Sequence, residues 1–228
     1  MTRVLVPVAV LEGESVSTGL TQLLAPMDVT VLGYHVLPEQ TPPDQARLQY
    51  EDRANEALDD LVAEFQQAGS RADHRLVFTH DREQTVVRVA DETDSRAYAI
   101  TGMTGPVERL LVPLTGGVAV DEILSFVAEL VGDQDIGVTL FLANDSEQEG
   151  RDRLDQAAAV LSEDGIDVST ELAVETAPFD ALVEAVAGHD AVVMGEQAPS
   201  LRSLVFGEET ERVAAETVGP VVVVRRDE

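Results

Sequence analysis

The 228-residue chain has no cysteine, no lysine and no tryptophan, and only 4% of it is aromatic. The absence of cysteine excludes disulfide frameworks and thiolate chemistry. Without lysine, all 15 basic residues are arginines, set against 43 acidic residues for a net charge of −28. A surface this acidic has no basic stripe with which to release counterions from nucleic acid, and it repels anionic membranes. It also repels itself unless salt screens it; at molar salt the Debye length falls to about 3 Å. The expectation is adaptation to the salty cytoplasm of a halophilic archaeon. A GC-rich genome alone would explain arginine over lysine but not the size of the acidic excess. No apolar run approaches the roughly 18 residues of a membrane span, and strand-like residues begin at Val4, where a signal peptide would open. A cytoplasmic location is therefore expected. With so few aromatics, the 44% apolar fraction has to build its cores from Val, Leu and Ala.

What the chain does contain is a near-repetition. Arg3-Val4-Leu5-Val6-Pro7-Val8 returns 106 residues later as Arg109-Leu110-Leu111-Val112-Pro113-Leu114. Recurrence at that distance means two similar domains, expected at 1–106 and 107–228, and not a solenoid, whose periods are much shorter. Charge is unevenly shared: 17 acidic and 8 basic residues in the first copy, net −9, and 26 and 7 in the second, net −19.

Each copy alternates strand and helix. The apolar run Val4–Val10 predicts a strand covered on both faces. Val16–Leu24 predicts a helix, Val29–Val36 a strand, and Asp44–Gln67 the longest helix, ended by Gly69. Arg75–Thr79, Glu83–Asp91 and Ala97–Ile100 follow as strand, helix and strand. In the second copy the order recurs as Leu110–Leu114, Val120–Val131, Val138–Leu142, Glu147–Leu161, Val168–Val174, Phe179–Ala187 and Ala191–Met194. Such alternation implies parallel sheets with helices on both faces. The copies then part. The first has only Thr101-Gly102-Met103-Thr104-Gly105-Pro106 after its fourth strand, expected to form a linker turn. The second continues into a helix, Glu208–Thr217, and a fifth strand, Pro220–Arg225.

The two Val-Pro strands, the long second helices, Val192-Val193-Met194-Gly195 and the closing Gly219-Pro220-Val221-Val222-Val223-Val224-Arg225 together resemble the universal stress protein family over almost the whole chain. The resemblance implies an α/β fold of two doubly wound parallel sheets, with strand order 3-2-1-4-5 in the second copy and 3-2-1-4 in the truncated first. It also implies dimer formation through strand five and a cytoplasmic stress-related role; some members of the family bind ATP and others do not.

The ATP-binding members carry Gly-x-x-Gly after strand four, nine residues, and then Gly followed by Ser or Thr. Such glycines let backbone N–H groups approach phosphates ahead of a helix N-terminus. Here Gly195 fits the first glycine, but Ala198 stands at the second. Gly207 fits the third after only eight residues, 199–206, and Glu208 replaces the Ser or Thr. Those members also have an acidic residue just after strand one, where this chain has Leu114-Thr115-Gly116-Gly117. Glu208 would set a carboxylate where a phosphate sits; two such anions about 4 Å apart repel by roughly 1 kcal/mol in water and severalfold more in a partly buried site. Arg202 would offset part of this. Glu208 and Glu209 are equally explained as acids favouring a helix dipole. Ligands of doubly wound sheets bind beyond the strands' carboxyl ends, where strand order switches. In the second copy that crevice is expected among Pro113, Leu114, Thr115, Gly116, Asn144, Met194, Gly195, Ala198, Arg202, Gly207 and Glu208. Its acidic rim suits an uncharged or cationic ligand better than a triphosphate.

No catalytic or metal site is expected. His35, His74, His80 and His189 form no i, i+4 pair and no metal-type spacing, and there is neither a Gly-x-Ser-x-Gly elbow nor a P-loop. His80-Asp81 and His189-Asp190 are expected at strand edges or turns and not as catalytic dyads. The expected function is a non-catalytic stress-response or regulatory role, without a cofactor, exercised through a partner or a small ligand. The alternatives are an ATP-binding sensor or weak ATPase, a soluble regulatory subunit of a membrane transporter, and an oligomeric scaffold. The uncharged, β-branched Val221, Val222, Val223 and Val224 are expected at a junction between sheets, within the chain or across a homodimer, because an uncovered fourth strand in the first copy would be an open edge.

Overall fold

Strand and helix alternate through the computed structural model, which describes residues 2–114, 120–196 and 219–226. In the first half these are β1 (Arg3–Val8), α1 (Thr18–Leu23), β2 (Asp28–Val36), α2 (Pro43–Ala68), β3 (Arg71–Thr79), α3 (Arg82–Glu92) and β4 (Ala97–Ile100). In the second half they are β5 (Arg109–Pro113), α4 (Val120–Val131), β6 (Gly137–Asn144), α5 (Glu147–Glu163), β7 (Val168–Val174), α6 (Pro178–Val186), β8 (Ala191–Gly195) and β9 (Val221–Val224). The helix expected at Glu208–Thr217 lies outside the described residues.

Local chemistry sets most of these boundaries. α2 opens at Pro43, whose missing N–H costs nothing in a first turn, and closes on Gly69 at φ 115°, a left-handed conformation that favours glycine. Its Ala54, Leu58, Leu61 and Phe65 recur at spacings of three and four and are buried together. Asp81 caps α3 by accepting the Gln84 N–H at 3.0 Å, and Ser146 caps α5 by accepting that of Glu149 at 3.4 Å.

Several boundaries differ from the sequence expectation by one or two residues, and the start of β3 by four. β1 stops at Val8, and Val10–Glu12 forms a single 3₁₀ turn closed by Gly13 at φ 76°. β3 begins at Arg71, four residues before the apolar run that signals it.

The nine described strands form one sheet in the order β3-β2-β1-β4-β9-β8-β5-β6-β7. Both halves therefore wind from strand one outward in the same order. β9 joins them: it pairs with β8 in parallel and with β4 antiparallel, each over four residues. All other pairings are parallel. The sheet thus reverses direction once, at the β4–β9 seam.

Side chains alternate across this sheet with the period of two that a pleat imposes. Val4, Val6 and Val8 enter the core under α1 and α2, while Leu5 faces α3; Val222 and Val224 join the first core and Val223 the second. The first core is continuous from Phe65 of α2 to Phe126 and Leu130 of α4, so the two halves share it. Polar contacts tie the same halves. Arg96 donates to Glu129 at 2.9 Å and to the Glu122 carbonyl at 3.1 Å. Gln134 donates to the Leu23 carbonyl at 3.3 Å. Arg225 donates to the Ser95 carbonyl at 3.0 Å and forms an ion pair with Asp91.

Candidate ligand crevices at the strand-order switches

A doubly wound sheet opens a crevice where neighbouring strands send their connections to opposite faces. This sheet has two such places, between β1 and β4 and between β5 and β8, and the antiparallel seam points them in opposite directions. In each pair the register covers only two positions, Val4↔Ala97 and Leu5↔Tyr98 in the first, Leu110↔Ala191 and Leu111↔Val192 in the second.

In the second crevice, the described wall consists of the carboxyl ends of β5, β6 and β8. The Leu114 N–H donates to the Phe141 carbonyl at 2.7 Å, which holds the chain leaving β5 against β6. Leu114 and Met194 are buried, and the Met194 side chain belongs to the core beneath α6 and does not line open space. Pro113 and Gly195 are also buried, so they present backbone. Asn144 is half-buried at the end of β6, and its amide donates to the Ser146 carbonyl at 3.1 Å. Glu196 follows β8 exposed, with its N–H on the Val224 carbonyl at 2.9 Å. Thr115, Gly116, Ala198, Arg202, Gly207 and Glu208 lie outside the described residues.

The first crevice, which sequence reasoning did not single out, is described throughout. The connection from β1 to α1 runs from residue 9 to residue 17. Gly13 turns it back through its left-handed conformation. That turn returns the half-buried Glu14 to the strand end, where Oε2 accepts the Ala9 N–H at 2.6 Å. The other oxygen, Oε1, accepts the hydroxyl of Thr101, the first residue beyond β4.

The chain that follows Thr101 is closely packed. A methyl group on Gly19 would sit 1.9 Å from the Gly105 carbonyl oxygen, and one on Gly102 would sit 2.6 Å from the Gly219 carbonyl carbon. Gly219 in turn lies against the Asp190 carbonyl. The Gly102–Gly105 segment, which mimics the start of a phosphate loop in sequence, has no regular structure and is wedged between α1 and the entry to β9. The signal for this site was present in the chain as a long loop with Gly13 beside Glu14. Its partner Thr101, 87 residues away, was not.

The histidine–aspartate pairs of the sequence do not form dyads. Asp190 accepts the backbone N–H groups of Glu108 and Arg109 at 3.0 and 2.9 Å, while His189 contacts the Ala185 carbonyl and the Thr139 hydroxyl, both at 2.8 Å. His80 contacts the Leu37 carbonyl at 3.2 Å, and Asp81 is committed to capping α3. Among the described residues no group of three or more His, Asp or Glu is arranged to hold a metal ion. Nor is any described helix long and apolar enough to cross a membrane. A shallow groove of about 570 Å³ runs along α3 between Asp81 and Glu92, apart from both crevices.

Two parallel half-sheets of one strand order, joined by a shared strand and each with a switch-point crevice, define a doubly wound α/β protein of internally repeated design. The fold is that of the universal stress proteins. A universal stress protein from Archaeoglobus fulgidus superposes on 99% of this chain and 97% of its own, with a TM-score of 0.68 at 17% identity. A protein of unknown function from Pseudomonas aeruginosa superposes on 100% of this chain and 93% of its own, with a TM-score of 0.55 at 14% identity. No protein-family model matches the sequence, and the search of curated proteins returns no match.

Proposed function

We propose that this chain is a cytoplasmic stress-response protein of the universal stress type that acts without catalysis of its own. Its two copies, 1–106 and 107–228, form a pseudo-dimer inside one chain. The second copy, through its switch-point crevice, holds a small uncharged or cationic ligand or meets a protein partner. The observation that carries this reading is the inequality of the two crevices. At the first, the Glu14 carboxylate accepts from the Ala9 N–H and the Thr101 hydroxyl. In the second, the connection Leu114-Thr115-Gly116-Gly117-Val118-Ala119 contains no acidic residue to accept in that way. The overall acidity, net −28, weighs against a polyphosphate ligand, nucleic acid and anionic membranes alike.

The nucleotide-binding alternative draws on Gly195, which ends β8 with its backbone at the second crevice. Titration calorimetry with ATP and with adenosine in molar KCl separates the two. Adenosine binding at least as tightly as ATP supports the present reading. An ATP dissociation constant below about 0.1 mM with no adenosine binding, or phosphate release, would overturn it. The pseudo-dimer is tested by size: β9 has both of its edges occupied within the chain, so sedimentation in molar KCl is expected to give a monomer.

A further inference from the structure

We infer that the crevice between β1 and β4 is a carboxylate cradle kept occupied by the chain's own Glu14, an internal ligand where a small monocarboxylate would otherwise bind. The donors converge from two elements that are remote in sequence. The Ala9 N–H follows the last residue of β1, and the Thr101 hydroxyl follows the last residue of β4. They meet one oxygen each of a single carboxylate, with the Ala9 contact at 2.6 Å. Hydrogen bonds to an ionised acceptor are shorter and roughly twice as strong as neutral ones. These two neutral donors hold it at the strand ends. Strand-end amides of this kind face the place where doubly wound sheets receive their ligands. Without Glu14, the Ala9 N–H and the Thr101 hydroxyl would both lose their carboxylate acceptor.

Glu14→Ala removes a CH₂–COO⁻ fragment, which has the size and charge of acetate. Acetate is therefore the probe. In potassium acetate, compared with KCl at equal molarity, the thermal midpoint of Glu14→Ala is expected to rise about 2–4 °C more than that of the wild type, a shift typical of one recovered interaction in a chain of this length. The Ala9 and Thr101 amide resonances should move with acetate in the variant and stay fixed in the wild type. Glu14→Gln, which keeps an acceptor and the side-chain volume, should respond as little as the wild type. Adding Thr101→Val to Glu14→Ala should abolish the acetate effect.

Equal responses in wild type and Glu14→Ala would overturn the inference, as would acetate shifts that survive Thr101→Val. Should Glu14→Ala not fold in KCl, the measurement becomes recovery of the folded state in potassium acetate. Recovery supports the cradle; failure there, with Glu14→Gln folded, overturns it. Neither outcome depends on what the second crevice binds.

Discussion

Tyr98 of β4 lies opposite Val223 of β9 across the one antiparallel seam of the sheet, and opposite Leu5 of β1 on its other side. Tyr98 and Val223 are both buried, in the core that also receives Val89 of α3 and Leu182 of α6. The seam is thus a covered, load-sharing part of the interior. It joins halves whose strands point in opposite directions, so damage there should be felt by both.

Val222 is 0% exposed and sits between Ala99 and Val193. Val222→Ala removes two methyl groups from the shared core and should cost about 2–3 kcal/mol, transfer and cavity terms together. All three tyrosines, Tyr34, Tyr50 and Tyr98, lie in the first half. Urea unfolding in molar KCl followed by tyrosine fluorescence and by helical ellipticity should therefore give coincident curves, both shifted by the substitution. Separate midpoints would show that the halves unfold independently.

Gly102→Ala should destabilise by about 1–3 kcal/mol, because its methyl group would meet the Gly219–Pro220 backbone, which has no rotamer by which to give way. Gly105→Ala, three residues further along the same loop, meets nothing within 4 Å and should change stability by less than about 0.5 kcal/mol. Thermal midpoints of the two variants at one salt concentration check the contrast.

Arg96→Ala should cost about 1 kcal/mol. The guanidinium is largely covered and makes two contacts across the halves, yet Glu129 is half-exposed, and solvent screening discounts the pair. Arg47→Ala removes an exposed i, i+4 pair to Glu51 at 3.8 Å and should cost no more than about 0.5 kcal/mol. Chemical denaturation of both variants would separate the cross-half contact from the surface pair.

Stability should rise with KCl from the millimolar to the molar range. With net −28 on 228 residues, self-repulsion is screened faster than the few exposed ion pairs are weakened. A thermal midpoint that stays level or falls as KCl increases would contradict this.

Much of the architecture was legible in the chain because the central strands are buried on both faces. Val4–Val8 and Val221–Val224 read as unbroken apolar runs, and burial on both sides is what such runs encode. β3 was legible only from Arg75, because an edge strand with Arg71, Asp73 and Arg75 carries polar residues where a central one cannot. Val10 reads as a continuation of β1, yet Gly13 at φ 76° turns the chain before another strand residue can pair. The alternation of strand and helix that gives both half-sheets the same strand order was legible too. What each crevice contains was not, since the Glu14–Thr101 contact joins loops that periodicity does not relate. The same holds for Gly102, whose neighbour Gly219 enters from the other half.

The position of β9 also orders events during synthesis. It follows every other described strand in the chain yet occupies the middle of the sheet. While the ribosome is still adding residues 197–218, β4 and β8 each wait with an unpaired edge, the condition that invites pairing with another molecule. Closing the sheet then joins Ala97 to Val224 across most of the chain, a long-range step that is slow in folding. Both edges stay open during that interval, so the central strand acts as a clasp fastened after translation has passed it.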